Sequence, residues 1–137
     1  MSIEEENKAL LYRFFEELNK GNFTVWDELC TPGYIYHGTA GDMTREQSKD
    51  HAASLLAAFP DLNGAIDDVI AEGDRVVARY TVRGTHQGVY GGLPPTGKQI
   101  TLKGIEIDKL ADGKFIETWT VTDTFGLLQQ LGVIPSR

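Results

Sequence analysis

The stretch from residue 105 to residue 125, IEIDKLADGKFIETWTVTDTF, constrains the chain most, because it holds two strand-like runs joined by Ala111-Asp112-Gly113. A glycine in so short a connection allows the positive φ of a tight reversal, so the two runs are expected to pair antiparallel. Under strict alternation, Phe115, Glu117, Trp119, Val121 and Asp123 share one face of the second run, and Ile116, Thr118, Thr120 and Thr122 share the other. The first face mixes large apolar side chains with two carboxylates, the pattern of a ligand cavity that carries an acid/base group. Asp123 also has a second reading. Aspartate is a favoured helix N-cap, and Thr124-Phe125-Gly126 begins a turn or short helix.

A hairpin needs a sheet around it, and the residues upstream supply one. Residues 62–71 and 75–86 read as strands across the turn Glu72-Gly73-Asp74. In the second of these, Val76, Ala78, Tyr80 and Val82 alternate with Val77, Arg79, Thr81 and Arg83, and extending the alternation puts His86 on the apolar side. Residues 98–110 return to the sheet. Between them, residues 87–97 contain GVYGGLPPTG, too rich in glycine and proline for a strand, and are expected to form a loop bordering a pocket entrance.

The N-terminal part is helical. Ser2 with Glu5 makes a capping box for a helix over residues 3–20, with Leu10, Leu11, Phe14, Phe15 and Leu18 on one face and Gly21 as its stop. A short helix over 24–29 buries Trp26 and Leu29 before Thr31-Pro32-Gly33 breaks it. In the strand Tyr34-Ile35-Tyr36-His37 the tyrosines share one side and Ile35 and His37 the other; His37 either lines a cavity or bonds a core carbonyl. Residues 38–43 read as a loop. Thr44 with Gln47 then opens a third helix through His51, Leu55, Leu56 and Phe59, closed by Pro60-Asp61. Three helices followed by strands is an α+β order, predicted as a single domain over residues 1–137: helices on a strongly curved, mainly antiparallel sheet that encloses a pocket.

Charge narrows the partners. Thirteen Lys and Arg against 20 Asp and Glu give a net charge of −7 with no basic stripe, which argues against nucleic acid and anionic membrane surfaces and leaves small molecules or proteins. The one cysteine, Cys30, excludes an internal disulfide framework and reads as a buried small hydrophobe. The three histidines lack metal-ligand spacing, so no zinc site is expected, and neither a phosphate loop nor a nucleophile elbow is present. The acidic start is unlike a signal peptide and no apolar run reaches membrane-spanning length, so the expected address is cytoplasmic.

Several segments occur together: ENKALLYRFFEELNKGN, YIYH at 34–37, AAFPDL at 57–62, AEGDRVVARYTVRGTHQG at 71–88, GLPPTGK at 92–98, and DGKFIETWTVTD with GLLQQLG after it. In that order they resemble the SnoaL-like polyketide cyclases, or ester cyclases, of the cone-shaped nuclear transport factor 2-like superfamily. The resemblance implies an intramolecular aldol ring closure that needs no metal or organic cofactor, with Asp123 as acid/base, its pKa raised beside Trp119 and Val121, and with His37 or His86 as hydrogen-bond partner. It implies pocket contacts from Glu106 and Trp119, and the residues themselves add Tyr12, Phe15, Tyr36, Phe59, Tyr80 and Glu117 as candidate substrate contacts. Where a further pocket histidine would be sought, this chain has Ile105-Glu106-Ile107. The family commonly pairs through the outer sheet face, so a homodimer is expected there, with Thr118, Thr120 and Thr122 as its stripe. A non-catalytic small-molecule binding protein, a related isomerase or dehydratase, and a homodimeric scaffold with a filled cavity are the alternatives.

Overall fold

The computed structural model describes residues 1–135. The elements run α1 (Ile3–Asn19), α2 (Val25–Leu29), β1 (Cys30–Gly38), β2 (Gly41–Thr44), α3 (Arg45–Ala58), β3 (Asn63–Glu72), β4 (Arg75–Thr85), β5 (Gln99–Ala111), β6 (Lys114–Thr122) and α4 (Thr124–Gln130). The six strands form one sheet in the order β2-β1-β6-β5-β4-β3. Every neighbouring pair is antiparallel except β1 with β6, which is parallel. The α+β class and the curved sheet under N-terminal helices are as the sequence predicts. The segment expected as a loop at 38–43 instead turns at Gly38–Gly41 and pairs back on β1 as β2.

Local chemistry sets the helix starts. The Ser2 hydroxyl accepts from the Glu5 backbone N–H at 3.1 Å. At α3, Thr44 accepts from the Gln47 N–H at 3.2 Å while the Gln47 side chain accepts from the Thr44 N–H at 3.0 Å, closing a full capping box. The far end of α1 is tied to the edge strand by Asn19, whose amide accepts from the Gly64 N–H at 2.8 Å and donates to the Gly64 carbonyl at 2.9 Å.

Three breaks in register curve the sheet. On β3 an extra residue, Asp67, stands between the pairs Ile66↔Tyr80 and Asp68↔Arg79. On β6, Ile116 is extra between Phe115, opposite Leu110, and Glu117, opposite Lys109. β1 is irregular between Cys30 and Ile35. A bulge bends its strand and reverses the side-chain alternation beyond it. The reversal on β6 overturns the face assignment read from strict alternation. Phe115 is buried, but so are Thr118 and Thr120, while Val121 is 71% exposed on the opposite side. The threonine stripe therefore faces inward.

The buried apolar residues fall into two groups. One gathers Leu11, Val25, Trp26, Leu29, Cys30, Tyr34, Val76, Ala78, Leu110 and Phe115 beneath α1 and α2, with Phe14 edge-on to Trp26 at 5.0 Å and to Phe115 at 5.4 Å. Cys30 sits inside it, and burial pushes its thiol up to about 12, as an inert core residue requires. The other gathers Ala58, Phe59, Ile100, Leu127 and Leu131 where α3, α4 and β5 meet. Among the described residues no helix is long and apolar enough to cross a membrane.

Candidate active site

Between the two apolar groups the concave side of the sheet is polar. Glu106 pairs across β5 with Ala78 on one side and Thr120 on the other, and Asp108 pairs with Val76 and Thr118. All four partners are buried, so both carboxyl groups point to the interior side of a central strand. Asp108 is 2% exposed. Glu106 as a residue keeps partial accessibility on that same strand, with buried neighbours on both flanks.

Hydroxyl groups surround the pair. The Tyr34 hydroxyl donates to Thr118 Oγ1 at 2.7 Å, and Thr118 donates to Asp108 Oδ1 at 2.6 Å. The Tyr80 and Thr120 hydroxyls bond each other at 2.7 Å. Gly104 makes this possible: a Cβ there would lie 2.5 Å from the Tyr80 ring and hydroxyl, so only glycine lets the ring lie across β5. Phe15 packs edge-on to Tyr80 at 5.8 Å, and the half-buried Tyr36 lies on the same inner side of β1 as the buried Tyr34.

Electrostatics follow from burial. Desolvation raises Glu106 well above the usual carboxylate range, and the neighbouring Asp108 raises it further. Desolvation also raises Asp108, while the adjacent Glu106 carboxyl and the Thr118 hydroxyl oppose the rise. Burial pushes the Tyr80 phenol up to about 12 and raises Tyr34 and Tyr36 as well, leaving all three as un-ionised donors at neutral pH.

The sign of the pH effect follows. The pair holds protons in the folded chain that the unfolded chain releases above about pH 4, so stability falls as pH rises, by up to about 1.4 kcal/mol per pH unit for each such proton. Asp27 and Asp61, which are lowered, are ionised in both states above pH 5 and add no slope there. Urea midpoints of the wild type are expected to drop between pH 5 and pH 8, and those of Glu106→Gln to drop less. His37, raised, adds a fall of the same sign and His51, lowered, one of the opposite sign, so a Glu106→Gln slope equal to the wild type's would remove the buried pair as a titrating unit.

The other residues singled out by sequence lie elsewhere. Asp123 is exposed; its carboxylate accepts from the Gly126 N–H at 2.9 Å and caps α4, and it lines no enclosed cavity with Trp119. Beyond the bulge, β6 turns Glu117 and Trp119 to the outer face, where they meet His37. His37 stacks on Trp119 at 5.3 Å and bonds Glu117 at 2.6 Å and Asp42 at 2.8 Å, which hold the imidazole above its ordinary range. Tyr12 is 44% exposed on α1, and Phe59 is 1% exposed in the second core. His86 is fully buried, on the apolar side as the alternation predicts, but Nδ1 accepts from the Thr96 N–H at 3.1 Å and fastens the base of the 87–97 loop. Of the residues named from sequence, Glu106, Tyr36, Tyr80 and Phe15 come together. Asp108 and the threonines were missed: the pairing of Glu106 with Asp108 two residues on was the available signal, and the β6 bulge hid the threonines.

Two clefts open on the outside of the helical layer. One of about 300 Å³ lies between His51, Ser54 and Leu55 of α3 and Val89, Tyr90 and Gly91 of the loop. The other, of about 380 Å³, runs along Asp42, Met43, Gln47 and Asp50. Neither is lined by Glu106 or Asp108. Among the described residues no three His, Cys, Asp or Glu side chains converge on a position for a metal ion.

The SnoaL-like polyketide cyclase family profile matches residues 9–131. Among solved structures, AclR from Streptomyces galilaeus, a candidate hydroxylase, is 30% identical with a TM-score of 0.91, over 98% of this chain and 85% of that one. A candidate SnoaL-like polyketide cyclase from a Jannaschia species is 29% identical with a TM-score of 0.88, over 98% and 97%. IdmH, a candidate polyketide cyclase from Streptomyces antibioticus, is 30% identical with a TM-score of 0.83, over 91% and 97%. No curated protein matches the chain.

Proposed function

Because the chain belongs to the SnoaL-like polyketide cyclase family, we propose that it closes a ring on a keto-ester substrate by acid/base chemistry, without metal or organic cofactor, with Glu106 and Asp108 as the proton-handling pair. The observation that carries this reading is the burial of two carboxyl groups side by side on the concave face, among un-ionised phenols. Like charges in a site shielded from water do not both ionise, so the pair holds one proton and one charge near neutral pH. In an aldol closure the carbon beside a carbonyl loses a proton, the enolate carbon attacks a second carbonyl, and the new alkoxide gains a proton. The pair takes one proton and returns one, and ends as it began. Glu106 takes the proton from carbon as it hands its own proton to the Asp108 carboxylate beside it, and when it protonates the new alkoxide it recovers that proton from Asp108, so the charge returns to Asp108. Tyr36 and Tyr80 supply hydroxyl donors for the oxygen on which charge develops.

The test is to offer linear poly-β-keto esters to the purified protein and resolve products by mass and retention. Aldol closure keeps the substrate's mass or loses water, whereas hydroxylation, the activity in AclR's name, adds an oxygen. Binding without any product would leave a small-molecule binding protein.

For the assembly we place a homodimer contact on the outer sheet face. The threonine stripe is not available, but Ile105 (54% exposed), Ile107 (40%) and Val121 (71%) form an apolar patch there instead. Light scattering is expected to give a dimer mass for the wild type and a monomer mass for Val121→Glu. A wild-type monomer at micromolar concentration would end this proposal.

A further inference from the structure

We infer that Glu106 presents an un-ionised carboxylic acid to the concave space in the resting protein, and that Thr118 and Tyr34 are positioning residues that keep the negative charge on Asp108. The inference deepens the acid/base reading above by fixing where the pair's proton resides.

It stands on hydrogen-bond geometry. Asp108 is a buried side chain with two unequal oxygens. Oδ1 accepts from Thr118 at 2.6 Å, and Thr118 is fixed as a donor because its own oxygen accepts from the Tyr34 hydroxyl at 2.7 Å. That chain runs one way only, ending on Asp108 Oδ1 as acceptor. Oδ2 is buried and has no donor among the described residues. An orphaned carboxylate oxygen is costly in such a place. The group beside it on the same face of β5 is the Glu106 carboxyl, and two ionised carboxylates have only acceptors. A proton on Glu106 resolves this: it gives Oδ2 its donor and removes the repulsion between the two groups.

No compensating cation competes for the charge. The titratable groups facing the pair are Cys30, Tyr34 and Tyr36 from β1 and Tyr80 from β4, all neutral at pH 7, and no Lys, Arg or His acts on either carboxyl. The proton could in principle sit on either acid. Thr118 decides: its O–H strengthens the ionised form of Asp108, and nothing equivalent holds Glu106 ionised. The inner face then carries a neutral carboxylic acid and phenols, with the one negative charge held on Asp108 behind them. This favours a ligand oxygen that is a carbonyl or enolate acceptor over an ammonium group.

The experiment needs no turnover. Side-chain carboxyl carbons of the full chain, labelled with 13C on Asp and Glu, are followed by NMR from pH 4 to pH 10 in the wild type, Thr118→Val, Thr118→Ser, Tyr34→Phe and Glu106→Gln. The wild type is expected to show one buried carboxyl still protonated at pH 7, and its signal to disappear in Glu106→Gln. Removing the Thr118 donor raises the pKa of Asp108, so its ionisation in Thr118→Val is expected to move up by on the order of one pH unit, and to return in Thr118→Ser, which keeps the hydroxyl. Tyr34→Phe frees Thr118 to rotate and is expected to shift Asp108 the same way, by less. Thermal melts at pH 6 separate this from misfolding, since a titration shift without loss of the melting transition is not a folding defect. The assignment fails if the protonated signal persists in Glu106→Gln, if both carboxyls are ionised at pH 7, or if Thr118→Val titrates like the wild type. A protonated Glu106 in a protein that closes no ring would keep this assignment and remove the cyclase reading; turnover with both groups ionised would do the reverse.

Discussion

Glu106→Gln is expected to lower the ring-closing rate by about 10²–10⁴-fold, the usual worth of a positioned acid/base group. Asp123→Asn is expected to leave it within a few-fold of the wild type. The substitutions are isosteric, so each removes proton transfer while keeping shape, and the contrast comes from placement. Glu106 lies on the concave face beside Asp108, whereas Asp123 is exposed and spends its carboxylate on the Gly126 N–H. Asparagine caps a helix about as well as aspartate, so Asp123→Asn should also fold normally. Rates for both variants on the same keto ester decide between the two acids. A collapse confined to Asp123→Asn would return the acid/base role to the position implied by the family resemblance and remove the Glu106–Asp108 pair from the mechanism.

Phe59→Ala is expected to cost about 3–5 kcal/mol of stability, the range for deleting a fully buried phenylalanine. For a chain of this size that lowers the melting temperature by on the order of 10 °C. Phe59 is 1% exposed, lies against the His86 and Tyr90 rings at 5.4 and 5.6 Å, and covers Gly84, where an added Cβ would sit 3.0 Å from its own Cβ. It holds α3 and the loop base to the sheet. The loss should therefore appear in the melt and not as a raised KM at a temperature where the variant is folded. A normal melt with a raised KM would restore Phe59 to the substrate contacts.

The relation between sequence and site is clearest on β6. Local signals were complete in the chain itself. Ser2 with Glu5 and Thr44 with Gln47 announced two helix starts, the Asp112-Gly113 turn announced the last hairpin, and the helix-then-strand order announced the α+β class. These depend on contacts within a few residues, so spacing encodes them. The family, too, was legible from the segments and their order. The face of a strand depends on its partner. Nothing in KFIETWTVTD marks Ile116 as an extra residue; the bulge exists only because Phe115 pairs with Leu110 and Glu117 with Lys109. That one residue of slip turned Trp119 and Glu117 outward, beside His37 of β1, and brought Thr118 and Thr120 in. The charge state of Glu106 and Asp108 is likewise a tertiary property, since desolvation and the Thr118 hydroxyl act across strands. The sequence by itself determined the helix starts, the last hairpin and, through the order of its segments, the family. Only the tertiary structure decided which carboxylates share the interior, because register and burial are set by residues distant in the chain.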